Sequence, residues 1–164
     1  MNIESRLVLV DMRCMEWQRG AVAKITSQLV DVLDQTPGLK LVLVWEKVVS
    51  NDFQDLAERH KNVFVGRFVR NKTVTEQIIV PWIVFSYKPH IMCFLAYTSP
   101  LLFYKSRLIL GLWDITFSSN REQYGFVRGW VMSIFARVSA SRAWKVVTCS
   151  EYDKQKIINL YKLE

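Results

Sequence analysis

Two apolar runs in the second half of the chain open into polar residues able to bind ligands or move protons. Residues 108–112 lead into Trp113-Asp114-Ile115-Thr116-Phe117, and Val146-Val147-Thr148-Cys149 leads into Ser150-Glu151-Tyr152. A carboxylate such as Asp114, held at the mouth of a strand, acts as a general base or orienting group once an acceptor hydroxyl comes within hydrogen-bonding reach. The same aspartate can equally close an Asx-turn or cap a helix. Ser150 and Glu151 offer a polar binding pair, or the N-cap and first-turn acid of the helix-like run that follows, and capping is the favoured reading. Cys149-Ser150 lacks the Gly-x-Ser-x-Gly frame of a nucleophile elbow, and neither His60 nor His90 is near it in sequence, which disfavours a hydrolase.

A second set of such residues follows the first apolar run, which ends at Asp11. Arg13 and Arg19 flank a polar loop, and Gly20 opens an amphipathic segment. The loop has one glycine where a dinucleotide fold needs Gly-x-Gly-x-x-Gly, so NAD binding is disfavoured. A single glycine at a helix start can still bring backbone N–H groups to a phosphate or sugar hydroxyl, with Arg13 and Arg19 holding an anion. Alternatively, Gly20 only allows tight helix–sheet packing. Residues 126–145 carry Arg128, Arg137, Arg142 and Lys145 among Phe126, Trp130, Phe135 and Trp144, with no acid. On a helix, this mixture makes a membrane contact at Arg128, Trp130, Arg137 and Arg142, or it covers a sheet with its arginines in water. The second is the plainer reading.

Positioning these groups falls to alternating strands and helices. Apolar runs at 6–10, 39–45, 63–65, 91–95, 108–112 and 146–149 read as strands. Between them, 21–33 has apolar residues at helical spacing, and Asn51 or Asp52 can cap a short helix to His60. Thr73 and Glu76 make a capping-box pattern for a helix to about residue 86, with a kink at Pro81. Residues 121–143 read as mainly helical, and Ser150 starts the last helix with Asp153 in its first turn. Such alternation predicts an α/β fold, a Rossmann-like doubly wound parallel sheet in three α/β/α layers. Right-handed crossovers give strand order 3-2-1-4-5-6 with a switch point between strands one and four. Residues 11–20 and 96–100, the latter including Tyr97 and Thr98, would then face each other across the crevice.

The chain has 164 residues, 51% of them hydrophobic and 23% charged, which suits one globular domain with a real core. Its net charge of +7 points to an anionic partner. Nucleic acid is disfavoured because the basic residues are dispersed and no recognition motif is present. Cys14, Cys93 and Cys149 have no metal-ligand spacing, and their odd number argues against a disulfide framework, so no metal site is expected. The N-terminus lacks an apolar signal core, and Pro81, Pro89 and Pro100 break the most apolar region, 78–104, below spanning length. A reduced, cytosolic-type chain is the expectation.

Several of these motifs together resemble a known family. Leu7-Val8-Leu9-Val10-Asp11-Met12-Arg13, then Gly20 and a helix ending Gln28-Leu29-Val30-Asp31-Val32-Leu33, resemble the opening of retaining GT-B glycosyltransferases of family 4. Thr75-Glu76-Gln77 with Pro81, Lys88-Pro89-His90-Ile91 and Tyr97-Thr98-Ser99-Pro100 fit its middle. Leu110-Gly111-Leu112-Trp113-Asp114-Ile115 is similar to its strand closing in His-Asp-Leu/Ile, and Val147-Thr148-Cys149-Ser150-Glu151-Tyr152-Asp153-Lys154 to its Ser-Glu-x-Ser-Lys motif. The order and spacing of these motifs carry the resemblance across almost the whole chain.

The resemblance implies that residues 1–164 are the acceptor-side half of a GT-B architecture. The nucleotide-sugar donor would sit mainly on a C-terminal domain absent from these residues, leaving this half without a cofactor and inactive alone. The implied reaction transfers a hexose, with retention, to a glycan or lipid-linked acceptor in cell-surface polysaccharide or glycolipid synthesis. Arg13, Arg19, Gly20, Tyr97, Thr98, Ser150 and Glu151 would line the substrate edge, and Asp114 would serve as base or orienting group. Trp113 stands where the family has a histidine with a catalytic or orienting role; an indole can stack on a sugar but accepts no proton. The expected location is cytoplasmic, peripheral on the inner face of an anionic membrane. The alternative is a non-catalytic Rossmann-like module binding a sugar or a partner.

Overall fold

Six short apolar runs become strands whose carboxyl ends share one edge. The computed structural model describes residues 6–17, 20–47, 49, 53–66, 74–102, 106–113 and 126–163. β1 (Arg6–Asp11), β2 (Leu39–Trp45), β3 (Lys61–Phe64), β4 (Ile91–Phe94), β5 (Arg107–Gly111) and β6 (Lys145–Val147) form one sheet in the order β3-β2-β1-β4-β5-β6. Every pairing in it is parallel. This is the doubly wound order that right-handed crossovers predict, with its switch point between β1 and β4.

Alternation along the strands sorts the side chains onto two faces. Val8, Val10, Leu41, Leu43, Trp45 and Cys93 pack with Val30 of α2 (Ala21–Asp34) and Leu56 of α3 (Gln54–Arg59). Leu9, Val42, Val44, Met92, Phe94, Leu108 and Leu110 face the other way. There they meet Val80, Ile83 and Val84 of α4 (Val80–Tyr87), Ala136 and Ala140 of α5 (Phe126–Arg142), and Ile157 and Tyr161 of α6 (Glu151–Tyr161). Both faces of the central strands are thus covered, as a parallel sheet requires.

Four details depart from the sequence expectation. β3 starts at Lys61 because Asn62 is tied in: it accepts from the Trp45 indole at 2.8 Å and donates to the His60 carbonyl at 2.9 Å. β6 stops at Val147, and the chain leaves the ladder to cap α6. Phe53 precedes α3 without a side-chain cap, while Asn51 and Asp52 lie outside the described residues. The helix expected to about residue 86 begins as a π turn, Thr75–Ile79, that runs directly into α4 at Pro81. The Val80 N–H bonds the Thr75 carbonyl there, and Pro81, lacking a donor, sits where the wide turn hands over to the α-helix. Thr73 and residues 121–125 are outside the described set.

The β4–β5 connection contains no helix among its described residues. It runs between the π turn and the end of α5, held by Leu101 N–H to Gln77 Oε1 at 2.9 Å and Ser99 N–H to Ser139 Oγ at 3.1 Å. Among the described residues no helix is long and apolar enough to cross a membrane.

Candidate functional site

β1 delivers Asp11 to the carboxyl edge of the sheet, and the turn after it folds Arg13 back onto that carboxylate. Asp11 Oδ1 accepts from the Arg13 backbone N–H at 3.1 Å and from Nε at 2.8 Å; Oδ2 accepts from Nη2 at 2.9 Å. The two side chains are buried, with Arg13 only 1% exposed. Glu76, brought in by the π turn, accepts from the same Nη2 at 3.5 Å and from the Thr98 side chain. Glu46, just after β2, is buried and adds its field. Burial works against the Arg13 cation, but Asp11, Glu76 and Glu46 outweigh it and raise its pKa above the ordinary value. Burial dominates at Glu76 and pushes its pKa up, with Arg13 pulling in the opposite direction. Arg13 therefore stays charged and ties the end of β1 to the π turn, and Glu76 carries the tie on to Thr98 in the loop after β4.

The loop after β4 makes a tight reversal. Tyr97 sits at φ 71°, left-handed backbone that costs a non-glycine residue about 1–3 kcal/mol, and its N–H bonds the Gly111 carbonyl at 3.1 Å. The Tyr97 ring packs against the core beneath α4 and α5, while Thr98 turns onto Glu76. Both come to the predicted edge with their side chains directed inward.

Trp113 leaves β5 and folds across it. Its indole N–H donates to the Leu95 carbonyl at 2.6 Å, and its ring lies so close to Gly111 that a Cβ there would be 2.8 Å from it. The indole is fastened to the end of β4. The Cys149 thiol donates to the Trp113 carbonyl at 3.3 Å, joining the ends of β5 and β6. Asp114 and Arg19 lie outside the described residues.

Gly20 precedes α2 in an extended conformation, φ −110° and ψ −160°, and its carbonyl accepts from Lys24 N–H at 3.3 Å. A Cβ built on it meets no atom within 4 Å. Tight helix–sheet packing thus does not require glycine here. Ser150 is the N-cap of α6: its Oγ accepts from the Asp153 N–H at 3.0 Å and donates to Asp153 Oδ2 at 2.5 Å. Glu151 is exposed on the first turn and pairs with Lys154 and Gln155, which lower its pKa. These two residues form a helix start at the same edge as Asp11 and Trp113.

On α5, Trp130, Arg137 and Arg142 are exposed, and the Arg142 guanidinium donates to the Leu101 carbonyl. The Arg128 side chain is outside the described set. Among the described residues no cluster of His, Cys, Asp or Glu is arranged to hold a metal ion. Burial pushes the Cys93 thiol up to about 12 and the Cys14 thiol up to about 11, so neither is a nucleophile at neutral pH.

The carboxylates gathered around Arg13 were the part of this edge that sequence reasoning missed. The capping-box pattern names Thr73 as the partner of Glu76, and Thr73 lies outside the described residues; the contacts that Glu76 does make are to Arg13 and Thr98. The available signal was a lone acid inside the apolar stretch 74–87, matched by Glu46 directly after β2 and by Asp11 two residues before Arg13. No family model matches the chain, and neither a curated protein nor a solved structure matches it.

Proposed function

We propose that this chain is the acceptor-side domain of a retaining GT-B glycosyltransferase, receiving a glycan or lipid-linked acceptor at the carboxyl edge of its sheet. The observation that supports this reading is the convergence, beside the β1–β4 switch point, of the open start of α2 at Gly20, the braced loop after β4 and the end of β5 that leads to Asp114. In open α/β sheets ligands bind at that place. Backbone N–H groups at the start of α2 suit a sugar hydroxyl or a phosphate. Asp114 would take the proton-accepting or orienting role, because Asp11 and Glu76 are engaged with Arg13. The nucleotide-sugar donor would be held mainly by a further domain. A non-catalytic sugar- or partner-binding module is the second reading, favoured by Trp113, whose indole is tied to Leu95 and cannot accept a proton.

Saturation-transfer NMR and product chromatography with a panel of nucleotide sugars and sugar or lipid-phosphate acceptors test the proposal. Residues 1–164 are expected to bind an acceptor without forming product. Product should form once a nucleotide-sugar-binding domain is joined to them, and Asp114→Asn should abolish it. The Gly20→Val variant should lose acceptor binding while its unfolding midpoint holds. Sugar transfer by residues 1–164 alone, or unchanged turnover in the Asp114→Asn enzyme, would refute the assignment. Acceptor binding without transfer in the extended chain would select the binding module.

A further inference from the structure

α4 is apolar on every side, yet it lies at the surface. Its inner side buries Val80, Ile83 and Val84 in the core, while Ile78 of the π turn and Trp82 and Phe85 of α4 form an outward line and stand 60%, 66% and 48% exposed. A helix that is hydrophobic all round is normally enclosed by other apolar material. α5 packs on the same face of the sheet and turns Trp130, Val131 and Ile134 outward, followed by the exposed Arg137. Between the two helices runs the β4–β5 connection, whose Leu102 is also exposed. The outer layer on this side is therefore an apolar field with tryptophans on both helices.

Among the described residues of α4, the β4–β5 connection and α5, the charge has one sign. Residues 77–113 and 126–149, which form α4, the connection, β5 and α5, contain no aspartate or glutamate. Lys88 ends α4, exposed, and Arg137 and Arg142 are exposed on α5. α6, at the far end of the same layer, carries Glu151 and Asp153 together with Lys154, Lys156 and Lys162. A protein partner could match apolar area alone, but the basic residues and interfacial tryptophans of α4 and α5, with no acid among the described residues of these two helices, together match an anionic lipid surface.

From this we infer that the outer face of α4 and α5 docks on an anionic membrane, with Ile78, Trp82, Phe85 and Trp130 entering the headgroup–acyl boundary and Arg137 and Lys88 meeting lipid phosphates. Neither helix spans; both lie in the interface plane. This extends the proposed function to the surface where a lipid-linked acceptor would be met. It is decided by vesicle binding, whereas the transfer reading is decided by product formation.

The experiment is co-sedimentation of the purified chain with vesicles of phosphatidylcholine alone and of phosphatidylcholine with phosphatidylglycerol. Binding is expected to the phosphatidylglycerol vesicles and not to the neutral ones, and to weaken with added salt. Trp82→Ser, an exposed change that spares the core, should weaken that binding by about tenfold, the effect of removing one large aromatic from the interface. Arg137→Glu should weaken binding to the phosphatidylglycerol vesicles as well, and circular dichroism should show both variants folded. Absence of binding to either vesicle, or binding unchanged in both variants, overturns the inference. So does a dimer in sedimentation velocity that Trp82→Ser abolishes, since the field would then be a contact between two copies.

Discussion

One arginine organises the edge of the sheet where chemistry is proposed. Arg13 is held by a bidentate bond to Asp11 and a longer one to Glu76, deep enough that its head group is not available to a ligand anion. Guanidinium suits this role because it is weakly hydrated and its fork matches a carboxylate. Glu76 is the loosely bound member, and its raised pKa has a measurable consequence. Its unfolded value is near 4.3, so between about pH 4.3 and the raised native value the folded chain holds more protons than the unfolded one. Its contribution to stability is complete below about pH 4.3 and is lost as pH rises through the native value. In Glu76→Gln that titration is gone. The unfolding free energy of the wild type minus that of the variant should therefore fall as pH rises across the window. Urea unfolding at a series of pH values measures it, and a difference independent of pH would mean that Glu76 titrates normally.

At the scale of elements, the close approach of β4 and β5 depends on Gly111. Its missing side chain lets the Trp113 ring lie across β5 and reach the Leu95 carbonyl; a Cβ would be 2.8 Å from that ring and 2.9 Å from the Leu95 Cα. One of these neighbours is backbone, which cannot yield easily. Gly111→Ala should cost about 1–3 kcal/mol, as overpacking does, and should break the indole bond to Leu95. The readouts are the urea midpoint and the Trp113 indole N–H resonance, identified by its loss in Trp113→Phe. An unshifted resonance with full stability would show that the strands have room to spare. The sequence had revealed the strands around this glycine and their order, because long apolar runs separated by amphipathic segments admit few parallel topologies. The Ser150 cap was also legible, from a serine three residues before an acid at a helix start. The Arg13 network was not. A bond between residues 13 and 76 depends on where a crossover returns, and local pattern carries no trace of it. The inward turn of Thr98 and the tethering of Trp113 escaped for the same reason, each being fixed by a partner distant in sequence, Glu76 and Leu95.

Over the whole molecule, stability should be graded from the centre of the sheet to its edges. β1 is paired on both sides, to β2 and β4, and Leu9, Val10 and Leu43 are fully enclosed between the two helical layers. β6 is three residues long, pairs among the described residues with β5 alone, and exposes Lys145 and Val147. Opening β6 with α6 uncovers Ile157 and Tyr161 but leaves both partners of β1 in place, whereas opening β1 severs the sheet at its middle. Local opening is easiest where few apolar contacts and ladder bonds must be broken. Native-state hydrogen exchange should therefore find the amides of Val8, Leu9 and Val10 exchanging only through global unfolding. The amides of β6 that bond to β5 should exchange through a smaller opening, at least about tenfold faster. Protection of β6 equal to that of β1 would contradict this grading. If that protection disappeared on dilution, the exposed edge of β6 would be pairing with another chain, since an unpaired strand edge is a ready template for a further strand.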